Sequence, residues 1–190
     1  MADANKIKYG LKNCKYAVAT IASNGSATYG TVKDLPGAVS LSLTAQGDTT
    51  PFYADNIVYY TSIANNGYEG SLELARIPED FLKDVIGYAV GGNSLIYEDA
   101  GAAPIHFALL FQFEGDAKAR RHVIYNCVAT RPELASQTKG ETIEPQTETI
   151  NITATTIYNT ALDKDIVKAY LNEGDTGYTS FIGTVMQPTT

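Results

Sequence analysis

The chain has 190 residues, a formal net charge of −7, 44% apolar residues and 18% charged residues. A chain of this length buries roughly 70% of its unfolded surface, enough for one core without metal or disulfide staples, and the composition excludes a disordered chain, a collagen and a coiled coil. An acidic chain has no general attraction for nucleic acid, and no apolar run approaches the roughly 18 residues of a membrane span.

Met1 to Gly10 is polar, so no secretory signal is expected there. Lys6, Lys8, Lys12 and Lys15 make the start of the chain basic, either as an arm that docks on an acidic neighbour or as a solvated first strand. The chain holds 13 Tyr, 16 Gly and no Trp, and its Thr, Val, Ile and Tyr suit pleated, half-buried surfaces. Frequent turn signals, such as Asn24-Gly25, Pro36-Gly37 and Asn66-Gly67, cut it into short runs and predict a mainly β domain.

The first clear strand is Ala38 to Ala45, with Val39, Leu41, Leu43 and Ala45 on a dry face and Ala38, Ser40, Ser42 and Thr44 on a wet one. Gly47 to Gly70 is rich in aromatic and polar residues without a dry face. Tyr is enriched at interfaces, so this segment is expected to pack on another subunit, with a hairpin inside one subunit as the plainer alternative. Leu72 and Leu74 alternate with Glu69, Ser71 and Glu73 in a second strand. Pro78 is placed as the first residue of a helix running to Ile86. Glu79 and Asp80 favour its dipole, Phe81, Leu82, Val85 and Ile86 form its apolar stripe, and Gly87 caps it. Gly91-Gly92-Asn93 reads as a hairpin turn.

Ile105 to Glu114 predicts a nearly central strand, with Phe107, Leu109, Phe111 and Phe113 on one face and a mostly apolar second face. It forms a hairpin with Arg120 to Thr130, where Val123, Tyr125, Cys127 and Ala129 are expected on one face and His122, Ile124, Asn126 and Val128 on the other. Ser136 to Thr149 is the most linker-like stretch, and Pro145 makes Glu141 to Glu148 an edge or a bulge. Ile150, Ile152 and Ala154 alternate with Thr149, Asn151, Thr153 and Thr155. Asp163 to Asn172 fits a helix or a strand and is assigned to a strand; a weaker helical pattern covers Tyr178 to Val185. No linker divides the chain, so residues 1–190 read as one domain, with an arm at about 1–12, the segment 47–70 and a C-terminal part at 160–190.

The motifs for chemistry are sparse. Cys14 and Cys127 read as two reduced thiols, and no CxxC or HxxxH spacing points to a metal. His106 and His122 have no nucleophile or acid supplied by a motif. Asp163-Lys164-Asp165 starts like a calcium loop but has Lys168 where the turn glycine belongs and Gly174 at the last ligand position. Lys118, Arg120 and Arg121 suit a solvated loop, an intersubunit charge contact or, less well, nucleic acid. No catalytic, cofactor-binding or metal-ligating residue is assigned. The reading is a structural or binding component, not an enzyme.

Several blocks carry a family resemblance: PGAVSLSL from Pro36, GDTTPFYADNIVYY from Gly47, ANNGYEGSLELARIPEDFLKDVIG from Ala64, FALLFQFEGD from Phe107, RHVIYNCVATRPE from Arg121 and ETIEPQTETINITA from Glu141. In this order they resemble the major tail proteins of long, non-contractile-tailed phages of Gram-positive bacteria, over roughly residues 5–157. From about Thr160 the resemblance is loose.

The resemblance implies a tail tube protein of the virion, synthesised in the host bacterial cytoplasm. Two β-sheets would pack as a sandwich or barrel with one flanking α-helix and a short C-terminal helix. Hexameric rings would join their inner sheets and stack into a hollow tube that conducts the genome. The partners implied are further copies of the chain, a tape-measure protein, a tail terminator and baseplate or distal tail proteins, with DNA as passing cargo. Ser40, Ser42, Thr44, Thr149, Asn151, Thr153 and Thr155 are then candidates to line the lumen. Asp48, Tyr53, Asp55, Asn56, Tyr59, Asn65, Asn66 and Tyr68 are candidates for contacts between subunits. A tail-like bacteriocin particle is an alternative within the same class, and a monomeric carbohydrate-binding β-sandwich is the alternative outside it.

Overall fold

The computed structural model describes residues 9–138 and 145–190. In chain order its elements are β1 (Leu11–Ile21), β2 (Ala27–Tyr29), β3 (Lys33–Asp34), β4 (Ala38–Ala45), β5 (Thr49–Ala54), β6 (Ile57–Ile63), β7 (Tyr68–Leu74), α1 (Glu79–Phe81), β8 (Tyr88–Val90), β9 (Ile96–Glu98), β10 (Phe107–Phe113), β11 (Arg121–Ala129), β12 (Glu148–Thr155), β13 (Ile157–Asn159), β14 (Lys164–Ile166), β15 (Lys168–Leu171) and α2 (Tyr178–Phe181). Among the described residues the protein is mainly β, with 48% strand and 7% helix.

Among the described residues the largest sheet runs β2-β1-β10-β11-β12-β7-β4, with β15 added on β11 and β3 on β1. All these pairings are antiparallel. The strand from Phe107 is central, as its two apolar faces require, and is buried from Phe107 to Gln112. Phe107, Leu109 and Phe111 face a core shared by β1, β4, β7, β11, β12 and the helix. Ala108 and Leu110 face a second core closed by Tyr125, Ile157 and Phe181.

Strand β11 forks. Arg121 to Ile124 pair with β15, whereas Asn126 to Ala129 pair with β12 on the same edge. The register against β10 slips at the fork: Phe107 pairs with Cys127, and Leu109 with Ile124. One extra residue in β11 forms a bulge, and a one-residue slip reverses the faces beyond it. This corrects the expected alternation. Val123 and Tyr125 enter the second core, while Ile124, Cys127 and Ala129 enter the first. A similar slip in β4, between Ala38 and Ser40, leaves Val39 exposed and turns Ala38 toward the core, the reverse of the expected faces at that end.

The expected helix is corrected too. Pro78 is the residue before the helix, with extended backbone. After one α-turn the segment Leu82–Ile86 widens to π-helix and ends at Gly87, whose φ of 93° is left-handed. The wider turn brings Phe81, Val85 and Ile86 onto the buried side together. Phe81 packs edge-on against Tyr16 at 5.0 Å and Phe107 at 5.5 Å. Asp84 accepts hydrogen bonds from the Tyr16 hydroxyl at 2.8 Å and Lys33 Nζ at 2.6 Å, fixing the helix to β1 and β3.

The C-terminal helix is a single turn, shorter than its sequence pattern. The Tyr178 hydroxyl donates to the Ala119 carbonyl at 2.6 Å, and the Arg121 guanidinium donates to the Tyr178 carbonyl and lies over the Tyr178 ring. Within the segment Asp163 to Asn172, assigned to a strand, Lys164–Ile166 and Lys168–Leu171 are strands that pair with β13 and β11, separated by the buried Val167. The first strand begins at Leu11, so Leu11 and Lys12 of the expected arm at 1–12 belong to β1; residues 1–8 lie outside the described residues, as do residues 139–144 of the linker-like stretch.

Cys14 and Cys127 are both free and buried. Burial pushes each thiol up to about 12 from an ordinary value of 9.0. Burial likewise raises the phenols of Tyr16, Tyr29 and Tyr125. The folded chain therefore holds these protons more tightly than the unfolded chain. The stability they contribute is complete below the unfolded values and is lost progressively as pH rises from them through the raised folded values. Thermal unfolding followed from pH 8 to pH 11 is expected to show a midpoint that falls steadily above about pH 9, less steeply in a C14A/C127A variant. A midpoint flat to pH 11 contradicts this account of the core.

Candidate functional site

Two surfaces stand out, and one long ribbon supplies part of both. Strands β4 and β7 are the base of a hairpin whose ladder continues past the sheet. Gln46 N–H donates to the Gly67 carbonyl at 2.9 Å, Asn66 N–H to the Gln46 carbonyl at 2.9 Å and Ala64 N–H to the Asp48 carbonyl at 3.0 Å, before β5 pairs with β6. Gly47 is required in this passage because a Cβ there would collide with the Ala64 carbonyl. The turn is Asp55-Asn56, with φ of 52° and 63°. Such a two-residue turn with both residues left-handed matches the strand twist and favours Asp and Asn.

The first surface is the outer face of β12, β7 and β4. Cross-strand partners project to the same side of a sheet. Thr149, Glu73 and Ser40 form one row; Asn151, Ser71 and Ser42 a second; Thr153, Glu69 and Thr44 a third. The structure thus gathers six of the seven polar candidates on one face. Thr155 ends the same strand, β12, beyond its pairing with β7 and opposite Asn126 of β11, whose Nδ2 donates to its hydroxyl at 2.8 Å. No Lys or Arg occurs in these three strands. Glu73 accepts hydrogen bonds from Thr147 at 2.7 Å and Ser40 at 2.8 Å, and these hold its carboxyl below the usual range. Glu69, Ser71 and Glu73 were readable as a wet face, but their place in the middle of this surface depends on strand order, which local alternation does not encode.

The second surface is the β5–β6 hairpin. Phe52, Tyr53, Ile57, Val58, Tyr59, Tyr60 and Ile63 are each more than half exposed, Tyr59 at 72% and Ile63 at 77%. None belongs to either core. Apolar residues lie on both sides of the ribbon, Tyr53 and Val58 on one and Phe52 and Tyr60 on the other. An isolated two-stranded ribbon is marginal in water, and a contiguous apolar patch marks an interaction site.

The structure divides the other candidates for subunit contact. Tyr53 and Tyr59 are on the exposed ribbon, and Asp55 and Asn56 form its turn. Asp48, Asn65 and Asn66 belong to its base, where Asn65 Oδ1 accepts from Gly67 N–H at 3.1 Å. Tyr68 faces inward against the first core, with Lys168 Nζ 4.5 Å above its ring, so its side chain belongs to the body of the sheet.

Several of the other polar residues singled out in the sequence have partners within the chain. His106 Nδ1 lies 2.6 Å from Asn126 Oδ1, and His122 stacks on Phe111 at 5.2 Å. Arg120 lies 3.7 Å from Asp116 and Lys15 2.7 Å from Asp34. Among the described residues no group of three or more His, Cys, Asp or Glu is placed to hold a metal ion, and no helix is long and apolar enough to cross a membrane. Comparison of the chain with protein-family models and with curated proteins finds no match.

If the ribbon has no contact with its own body, its apolar side chains contribute little to the fold of the single chain. The triple variant F52S/Y59S/Y60S is expected to unfold in urea within about 1 kcal/mol of the parent. A loss of several kcal/mol would place these side chains against their own subunit.

Proposed function

We propose that this chain is a self-assembling structural protein of the tail tube type, forming stacked hexameric rings with a polar lumen through which DNA passes. The observation that carries the reading is the β5–β6 ribbon, which exposes large apolar side chains on both faces and therefore calls for a partner. The sequence blocks that resemble phage major tail proteins include this ribbon, the helix and five strands of the large sheet, β4, β7, β10, β11 and β12.

The outer face of β12, β7 and β4 supports a lumen. Its hydroxyls, amide and carboxylates attract water, and its carboxylates repel phosphate. A duplex sliding along it meets no cation from these strands to hold it. In this reading β4 and β7 belong to an inner sheet, and the first core fills a sandwich between that sheet and β1, β10 and β11. Among the described residues β4 ends the sheet, and its open edge is a liability that ring closure would remove. Head-to-tail contacts between rings then extend the assembly into an open tube. Tape-measure, terminator and distal tail proteins would set its length and close its ends.

Negative-stain electron microscopy of the concentrated protein, with sizing chromatography on the same sample, tests the proposal. Rings or hollow tubes with six-fold end views are expected from the parent and absent from F52S/Y59S/Y60S. A strictly monomeric parent at high concentration contradicts it.

A further inference from the structure

The fork in β11 leaves a wedge between β4 and β7 on one side and β10, β11 and β15 on the other. It is a cavity of about 400 Å³ lined by Leu41, Leu43, Tyr68, Phe111, Phe113 and His122. Leu41, Leu43, Tyr68 and Phe113 are partly buried against the first core, so the wedge is an apolar recess continuous with the interior. Its lining is aromatic: His122 lies 5.2 Å from Phe111, 5.5 Å from Phe113 and 5.8 Å from Tyr170. Positive charge stands at its mouth. Lys168 sits above Tyr68; Arg120, 5.5 Å from the Tyr170 ring, is paired with Asp116, and Asp165 lines an adjoining hollow.

We propose that this wedge receives the β5–β6 ribbon of a second copy of the chain. The inference rests on the self-assembly reading and names the surface that the ribbon meets. The ribbon has what the recess lacks: projecting Phe52, Val58, Tyr59 and Tyr60 side chains that are exposed on their own subunit. The charges are complementary. Between Gln46 and Gly67 the charged residues are Asp48 and Asp55, both acidic, whereas the recess is lined by Lys168. Within one chain the ribbon continues β4 and β7 beyond the end of the sheet instead of folding back between the layers. A knob and a hole on different parts of the surface make a heterologous contact, which closes into rings or extends into filaments.

Thiol cross-linking between copies tests this, because the native cysteines are buried. Tyr59→Cys and Leu43→Cys proteins are prepared separately, mixed under assembling conditions and treated with a short bismaleimide. Tyr170→Cys, at the more exposed mouth, is the second position if Leu43→Cys fails to fold. A cross-linked dimer from the mixture, absent from either protein alone and lost when F52S/Y60S is added to the Tyr59→Cys chain, is the expected result. Assembly without the mixed cross-link at either position overturns the wedge contact and leaves self-assembly standing. Absence of any assembly overturns both.

Discussion

Strand β10 is dry on both faces from Phe107 to Gln112, and a strand with no solvent face needs a layer on each side of it. One layer is the curled sheet that brings Leu72, Leu74, Ile150 and Ile152 together with Phe107, Leu109 and Phe111 around Phe81 of the helix. The other is the C-terminal segment, where Ile157 and Phe181 cover Ala108 and Leu110. The fork in β11 meets both requirements. Its first half stays with β15 in the layer of the second core, and its second half hands the sheet on to β12, β7 and β4. The bulge that reverses the faces of Cys127 and Ala129 is the local cost of serving two layers with one strand.

Much of this was legible where periodicity is local. The alternation of Ile150, Ile152 and Ala154, the central character of Phe107 to Phe113 and the left-handed cap at Gly87 follow from side-chain pattern and backbone freedom. What escaped depends on long-range pairing. The slips at Ala38 and Cys127 arise from the partner strand, so alternation within β4 or β11 points the wrong way beyond each slip. The π-helical turn answers the packing of Phe81, Val85 and Ile86, a tertiary demand that a 3.6-residue period does not describe. The candidate surfaces divide in the same way. The wet faces of β4 and β12 were each readable, but their union through Glu69, Ser71 and Glu73 required the sheet order. Tyr68 was grouped with the ribbon by sequence proximity, and its strand register turns it inward.

The ribbon breaks the usual relation between sequence and burial. A run of Tyr, Phe, Ile and Val with high strand propensity forms a strand pair, as propensity dictates, yet the body of the protein leaves it uncovered. Exposed apolar strands aggregate unless their partner is specified. Here the turn at Asp55-Asn56 fixes the register, and Asp48 and Asp55 give the ribbon one sign of charge. In the proposed assembly both features would restrict how a neighbouring copy docks.

The central claim is that the ribbon is unprotected in the single chain and ordered by a second copy. Amide hydrogen exchange measured across a concentration series tests it most directly. The account predicts rapid exchange for Thr49 to Ile63 in dilute protein and strong protection once the chain associates, while Phe107 to Gln112 stays protected throughout. Protection of the ribbon in the dilute monomer, or its continued rapid exchange in the associated state, contradicts the account.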